Sequence, residues 1–407
     1  MNTRRVLRTS NVLLLLTGYQ MHWFDSQLQR YRISAPGILN VFVLACIYAG
    51  CFNEHFQPSA LLKTLLDVSP FLYGLTRLQL LLSIKVFAYA IYASVRAVGV
   101  AGEITESLPM TIISARRGCL KRELIAYLLL FSTFVVLLCF GLYIGYEMQF
   151  KLPPLQHIMI GVALFLPHLV LAGALRFYCI FAWLTRERLR QLESEVEQLL
   201  SESKIKTELQ LVANSSSVAV TVAASNEDNL LKPLQQLAAH FGNFFDHLQR
   251  SLLLLLGVNA NCLLFGFYTY VYFSNTWHVL FDDHMRRVFY AGNISIYACI
   301  GCDYACLLLA QSLLEQQRFQ FLDRLNSALA QRNTLPKRIR RILKDMRYTL
   351  SNCFNLKFLS IWRFNVANFA VIQLIQLLVV ALIVTCHYLN DAILQTNERF
   401  DSNDEDD

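Results

Sequence analysis

Seven apolar stretches divide this chain, and its basic residues fall almost wholly into every second gap between them. The stretches run over Pro36–Phe52, Phe71–Val95, Leu124–Tyr146, Ile158–Leu184, Leu252–Ser274, Val288–Ala310 and Val366–Tyr388. A helix needs about 20 apolar residues to cross ~30 Å of hydrocarbon, and these stretches approach or exceed that length. The N-terminus and alternate loops after it hold 5, 5, 7 and 11 Lys and Arg, whereas the intervening loops and the C-terminal tail hold 1, 1, 2 and 1. Flanking positive charge resists translocation, so the basic side reads as cytoplasmic. The sequence thus predicts an all-α polytopic membrane protein with seven transmembrane helices, its N-terminus cytoplasmic and its C-terminus extracellular.

Composition agrees, with 55% hydrophobic and 16% charged residues. The net charge of +7 lies in the cytoplasmic loops, where the anionic inner leaflet is the natural counter-charge. It implies a lipid-bilayer partner and no nucleic acid. Residues 1–35 form the cytoplasmic N-terminal segment. Arg4, Arg5 and Arg8 precede the apolar Val12–Leu16, but no small-residue cleavage site follows. An interfacial segment is expected, with Trp23 and Phe24 at a headgroup boundary. The proposed extracellular loops hold no cysteine, so no disulfide framework is expected. Cys299, Cys302 and Cys306 share a helical face, yet small residues at helix contacts explain them better than a metal site.

Residues 36–310 hold the first six spans, with a cytoplasmic linker at 185–250. The outer loops are short, so a ligand has to enter the outer half of the bundle itself. Thr185–Leu200 continues the fourth helix with an apolar stripe through Leu189, Leu192, Val196 and Leu199. Val212–Asn229 reads as a Ser/Ala/Asn-rich linker. Residues 311–365 are expected to form extension helices, including a basic amphipathic helix over Lys337–Phe358. Its apolar stripe needs cover from another subunit or from the inner leaflet. Residues 366–388 form the seventh helix and 389–407 an acidic extracellular tail, with five carboxylates in Asp401–Asp407.

No enzyme constellation is present: the chain lacks a phosphate-binding glycine loop, a His-Glu-x-x-His motif and a nucleophile elbow. Neither catalysis nor a cofactor is implied. Charges within spans are costly and therefore informative. Lys85, Arg176 and Asp303 fall at similar depth, and Asp303 is expected to pair with Lys85 or Arg176. Arg77 lies near the outer face, placed to snorkel or to anchor a polar ligand. Many outer tyrosines belong to an interfacial belt. Tyr143, Tyr268, Tyr297 and His168 lie deeper, and with Arg77 they are the candidate pocket for a small molecule both apolar and hydrogen-bonding.

In the last span, Phe369, Gln373, Gln376, Val380, Ile383 and His387 recur on one helix face. Around a symmetry axis, Val380 and Ile383 would form a hydrophobic constriction, and Gln373 and Gln376 rings that hydrate an ion. Amides serving as inter-helix hydrogen-bond partners are the alternative reading.

Taken over nearly its whole length, the chain resembles the insect gustatory receptors of the insect seven-helix chemoreceptor superfamily. The resemblance lies in about 400 residues, an inside N-terminus, short outer loops, a long fourth-to-fifth linker and a basic helix before the last span. It implies a ligand-gated cation channel in the plasma membrane of sensory neurons that opens on a small-molecule tastant. It also implies a homo- or hetero-tetramer with other gustatory receptors, a central pore lined by last helices, and an anchor of cytoplasmic extensions. The family's Thr-Tyr and Gln-Phe pairs of the last span are replaced here by Gln376-Leu377 and Ile383-Val384. The odorant branch and a non-conducting partner subunit are therefore the alternatives. A G-protein-coupled receptor fits less well: the third span ends Gly145-Tyr146-Glu147 and the seventh lacks Asn-Pro-x-x-Tyr. A transporter lacks its inverted repeat and paired broken helices.

Overall fold

The computed structural model describes residues 3–404 apart from 26, 29, 54–68, 107–119, 148–154, 213–219, 274–282, 331–334, 353, 355–356, 359–360 and 364–365. Within these, the order is α1 (Thr3–Leu16), β1 (His22–Asp25), β2 (Arg30–Ile33), α2 (Ala35–Asn53), α3 (Pro70–Glu106), α4 (Leu120–Glu147), α5 (Leu155–Val212), α6 (Val220–Phe273), α7 (Asp283–Ala330), α8 (Lys337–Asn352), β3 (Lys357–Phe358), β4 (Trp362–Arg363) and α9 (Val366–Asp404). The class is all-α, with two antiparallel ribbons at the joints: Trp23 opposes Arg32 in the first and Phe358 opposes Trp362 in the second.

Among the described residues, six helices hold segments long and apolar enough to cross a bilayer: Ala35–Asn53, Leu130–Glu147, His168–Glu202, Leu230–Tyr270, Arg286–Ala330 and Ala370–Asn390. The second predicted span lies in α3, a continuous helix of 37 residues. The side chains at 85–87, 90 and 94 of α3 are outside the described residues, so its apolar character is argued from sequence.

The α5 helix is the axis of the bundle and packs on α1, α2, α3, α4, α6 and α7. No Gly or Pro occurs from Ala174 to Val212, so nothing interrupts the helix where apolar sequence gives way to charged sequence. At 58 residues it is about 87 Å long, nearly three times a hydrocarbon core. Eighty-nine per cent of its most apolar window is buried, against 11% for α9. The chain's own packing therefore covers α5 and leaves α9 largely uncovered.

Past the ends of the apolar stretches read from the sequence, α5, α6, α7 and α8 carry the same core onward. Leu189, Leu192 and Val196 of α5 meet Leu237, Phe241, Phe244 and Phe245 of α6, Phe321 and Leu325 of α7, and Leu343, Met346 and Leu350 of α8, all buried. The stripe of α8 thus finds its cover within its own chain. Ile339, Leu343 and Met346 face Leu230, Val196 and Leu199, while the Phe354 ring lies 6.4 Å from that of Phe241. These contacts run α8 alongside α6.

Several boundaries differ from the sequence reading. Val220–Asn229, read as linker, opens α6, because Ala223, Ala224 and Glu227 tolerate a helix well. The basic helix stops at Asn352, and the chain turns into the β3–β4 ribbon before α9. The last helix continues to Asp404, since neither Gly nor Pro interrupts it.

The N-terminal segment is also more deeply inserted than an interfacial reading allows. Gly18, at φ +73°, ends α1 in the left-handed conformation that glycine adopts without strain. The turn then packs on α5: a Cβ on Gly173 would lie 2.9 Å from that of Tyr19. Phe24 is 4% exposed, with its ring 5.2 Å from Tyr31. Tyr31 in turn meets Phe177 and Phe181 of α5. Protein, not a headgroup layer, covers these aromatics.

Candidate functional site

Polar side chains inside an apolar bundle persist only where partners satisfy them. The clearest instance links α4, α5 and α7. Arg176 is 3% exposed and Asp303 is fully buried, and the guanidinium Nη1 donates to Asp303 Oδ1. Thr133 Oγ1 donates to the same carboxylate oxygen at 3.0 Å and accepts from Arg176 Nη2. Ser132 Oγ lies 3.4 Å from that nitrogen. His168 Nε2 stands 3.5 Å from Asp303 Oδ2. Of the two cations expected near Asp303, the structure brings Arg176 to it; the Lys85 side chain is outside the described residues.

A cavity of about 120 Å³ opens beside this cluster. It is lined by Leu75, Thr76 and Gln79 of α3, Leu137 of α4, His168 and Leu169 of α5, Asn261, Cys262 and Phe265 of α6, and Ile296 and Cys299 of α7. Counting from the helix ends at Pro70, Glu147, Leu155, Phe273 and Asp283, the lining lies roughly 8–24 Å deep at 1.5 Å per residue. At that end, Arg287 Nε and His284 Nδ1 reach Glu147 Oε1 at 2.5 and 3.1 Å, tying α7 to α4.

The walls are mostly aliphatic, with an amide pair on one side. Asn261 Nδ2 donates to Gln79 Oε1 at 2.9 Å and reaches the Leu75 carbonyl at 3.3 Å. The imidazole of His168 joins the cavity to the buried ion pair. Apolar walls with a few fixed polar groups are the usual composition of a small-molecule site.

Only His168 among the five residues expected in the pocket lines this cavity. Tyr297 borders it from α7, its hydroxyl pressed so close to Gly266 that a Cβ there would lie 2.2 Å away. Tyr268 is 1% exposed and belongs to a neighbouring cluster between α3, α6 and α9: its ring is 4.7 Å from Phe71, and its hydroxyl is 3.3 Å from His387 Nε2. Arg77 turns along its own helix, donating from Nε to the Tyr73 hydroxyl at 3.0 Å. Tyr143 is half-buried on α4, four residues from Glu147 and outside the lining.

In α9, the face expected to line a pore is turned toward its own bundle. The Tyr304 hydroxyl of α7 sits among the side-chain amides of Asn259, Gln376 and Gln373. Val380 is 7% exposed, Ile383 is half-buried, and Val384 packs on Leu72 and Tyr268. His387 contacts Tyr268 and, at a ring separation of 5.3 Å, Phe71. The side chains left outward are Leu374, Leu377, Leu378 and Leu382. In this conformation the amides of Gln373 and Gln376 face Tyr304 of their own chain.

Gln79, Asn261 and Thr133 are the residues that sequence reasoning passed over. Their signal was available, since each is a hydrogen-bonding side chain within an apolar stretch. Attention to tyrosines and formal charges hid it. No protein-family model matches this chain, and no curated protein matches it.

Proposed function

We propose that this protein is a seven-helix membrane chemoreceptor of the insect gustatory type. Its N-terminus is cytoplasmic and its C-terminus extracellular, with α3 as the seventh span beside the six strongly apolar helices. A small organic tastant enters from the outer side and binds in the cavity beside His168, and binding opens a cation pathway at the α9 helices of a tetramer in the plasma membrane. The observation that carries this reading is the cavity itself. It lies within the bundle of a chain whose outer loops read from the sequence as short, and polar neighbours connect its floor to α4 and α7. The charge asymmetry across the spans supports the orientation.

A second reading has its own support. The amide stripe of α9 is engaged inside its own bundle, which favours a subunit that binds ligand but conducts only beside a partner receptor.

One series of experiments tests both. Tags at the N-terminus, at residue 215 and after Asp407 are stained on intact cells, and only the last is expected to label. Cells expressing the chain alone, or with a second receptor subunit, are then held under voltage clamp and exposed to small organic molecules. An inward cation current is expected, lost in His168→Trp, which fills the cavity. Surface-expressed protein that gives no current in either combination overturns the reading.

A further inference from the structure

From the shape and the unspent hydrogen bonds of the cavity, we infer its ligand class: a neutral molecule of about six or seven non-hydrogen atoms with an apolar body and one acceptor oxygen, a simple ketone or aldehyde. The inference rests on the reading of this cavity as the ligand site.

Size sets the first limit. The volume of about 120 Å³ is slightly below that of an engineered apolar cavity of ~150 Å³ that takes up benzene. A hexose, with twice as many non-hydrogen atoms, does not fit. Charge sets the second. Arg176 and Asp303 already neutralise one another beneath the floor, so an ionic ligand would be desolvated without a counter-ion. Amino acids, organic cations and carboxylates are thereby excluded.

The acceptor follows from the orientation of two amides. The Leu75 carbonyl can only accept, so the end of Asn261 facing it at 3.3 Å is the nitrogen. That same nitrogen donates to Gln79 at 2.9 Å, so the end of Gln79 facing it is the oxygen. Two ends of the pair remain free. Asn261 Oδ1 is buried out of reach of a ligand, whereas Gln79, 8% exposed, lines the cavity and offers its Nε2 protons there. A donor facing an apolar cavity without an acceptor is unfavourable, and a carbonyl oxygen from a ligand would satisfy it. Leu137, Phe265 and Ile296 then hold the hydrocarbon body.

The test uses the purified full-length chain in detergent and three probes: cyclohexanone, methylcyclohexane of nearly the same shape without an acceptor, and glucose. Binding is read as thermal stabilisation against probe concentration. Cyclohexanone is expected to bind about three- to tenfold more tightly than methylcyclohexane, the worth of one hydrogen bond, and glucose not at all. Gln79→Leu should erase the preference for cyclohexanone while leaving methylcyclohexane binding in place. Cys262→Phe, or Leu137→Phe if the first does not fold, should abolish both by filling the space. A preference that survives in Gln79→Leu, protection by glucose, or binding that persists in the filled variants overturns the inference. Cyclohexanone binding with these properties but without any evoked current would sink the receptor reading and leave the ligand class standing. Currents evoked by other compounds and insensitive to Cys262→Phe would do the reverse.

Discussion

The Arg176–Asp303 pair offers the sharpest quantitative test of how the bundle is held. Asp303 is fully buried and Arg176 is 3% exposed, so neither charge has water to fall back on. Replacing Asp303 with Leu leaves the guanidinium facing only the hydroxyls of Ser132 and Thr133. Removing one partner of a buried pair costs about 3–5 kcal/mol, because the survivor is left desolvated and uncompensated. At a tenfold change per 1.4 kcal/mol, that is two to nearly four orders of magnitude in the folding equilibrium. Arg176→Met should cost a similar amount, since only the Thr133 hydroxyl and His168 then face the carboxylate. The double variant Arg176→Met/Asp303→Leu carries no buried charge, and apolar replacements are well tolerated at membrane depth. It should be at most about 2 kcal/mol less stable than the natural chain, giving a coupling energy of roughly 4–10 kcal/mol. The measurement is reversible unfolding in mixed micelles, followed by tryptophan fluorescence, for all four proteins. Single-variant losses that simply add in the double variant would show that the two charges do not stabilise one another, and the pair would lose its structural role.

Two further outcomes follow from local geometry. Gly37→Ala places a Cβ 2.7 Å from the Met21 carbonyl oxygen and should destabilise by about 1–3 kcal/mol, whereas Gly50→Ala in the same helix meets open space and should stabilise by about 0.5–1 kcal/mol in the same unfolding assay. The backbone amides of Gln27 and Leu28 both donate to Asp25, and with Arg32 and Arg30 nearby they hold its carboxyl below the ordinary value of 3.8. A depressed carboxylate stabilises the folded ribbon above the unfolded pKa, and that contribution disappears as pH falls through the folded one. Hydrogen exchange at β1–β2 should therefore accelerate below about pH 4, and Asp25→Ala should remove that acceleration.

What the sequence revealed depends on how many faces of a helix are apolar. The α8 stripe was legible because Lys and Arg on one side and Ile339, Leu343, Met346 and Leu350 on the other fix its rotation. Its occupant was not, since the partners Leu199 and Leu230 lie more than a hundred residues earlier in the chain. In α2 and α9, apolar residues surround the axis, and periodicity cannot say which side meets protein. That is why the polar stripe of α9 reads as a pore lining, and why its packing on Tyr304 and Tyr268 in the single chain was not legible. His168 was found because a titratable group at membrane depth stands out. Gln79 and Asn261 matter through one another, and only the approach of α3 to α6 creates the pair. The insertion of the N-terminal turn rests on Gly173, whose missing side chain reads from sequence as any small residue would.

The attachment of α9 also bears on how this protein would respond to force or to neighbours. Among the described residues every other apolar helix packs on α5, whereas α9 packs mainly on α6, α7 and the start of α3, and most of its surface is hydrocarbon facing away from the chain. Displacing it breaks few internal contacts and disturbs neither the ion pair nor the core shared by α5, α6, α7 and α8. It is therefore the element for which lipid thickness, an anaesthetic-like solute or an adjoining copy can compete most cheaply. Variation along Leu374, Leu377, Leu378 and Leu382 would tune that competition without altering what the cavity accepts.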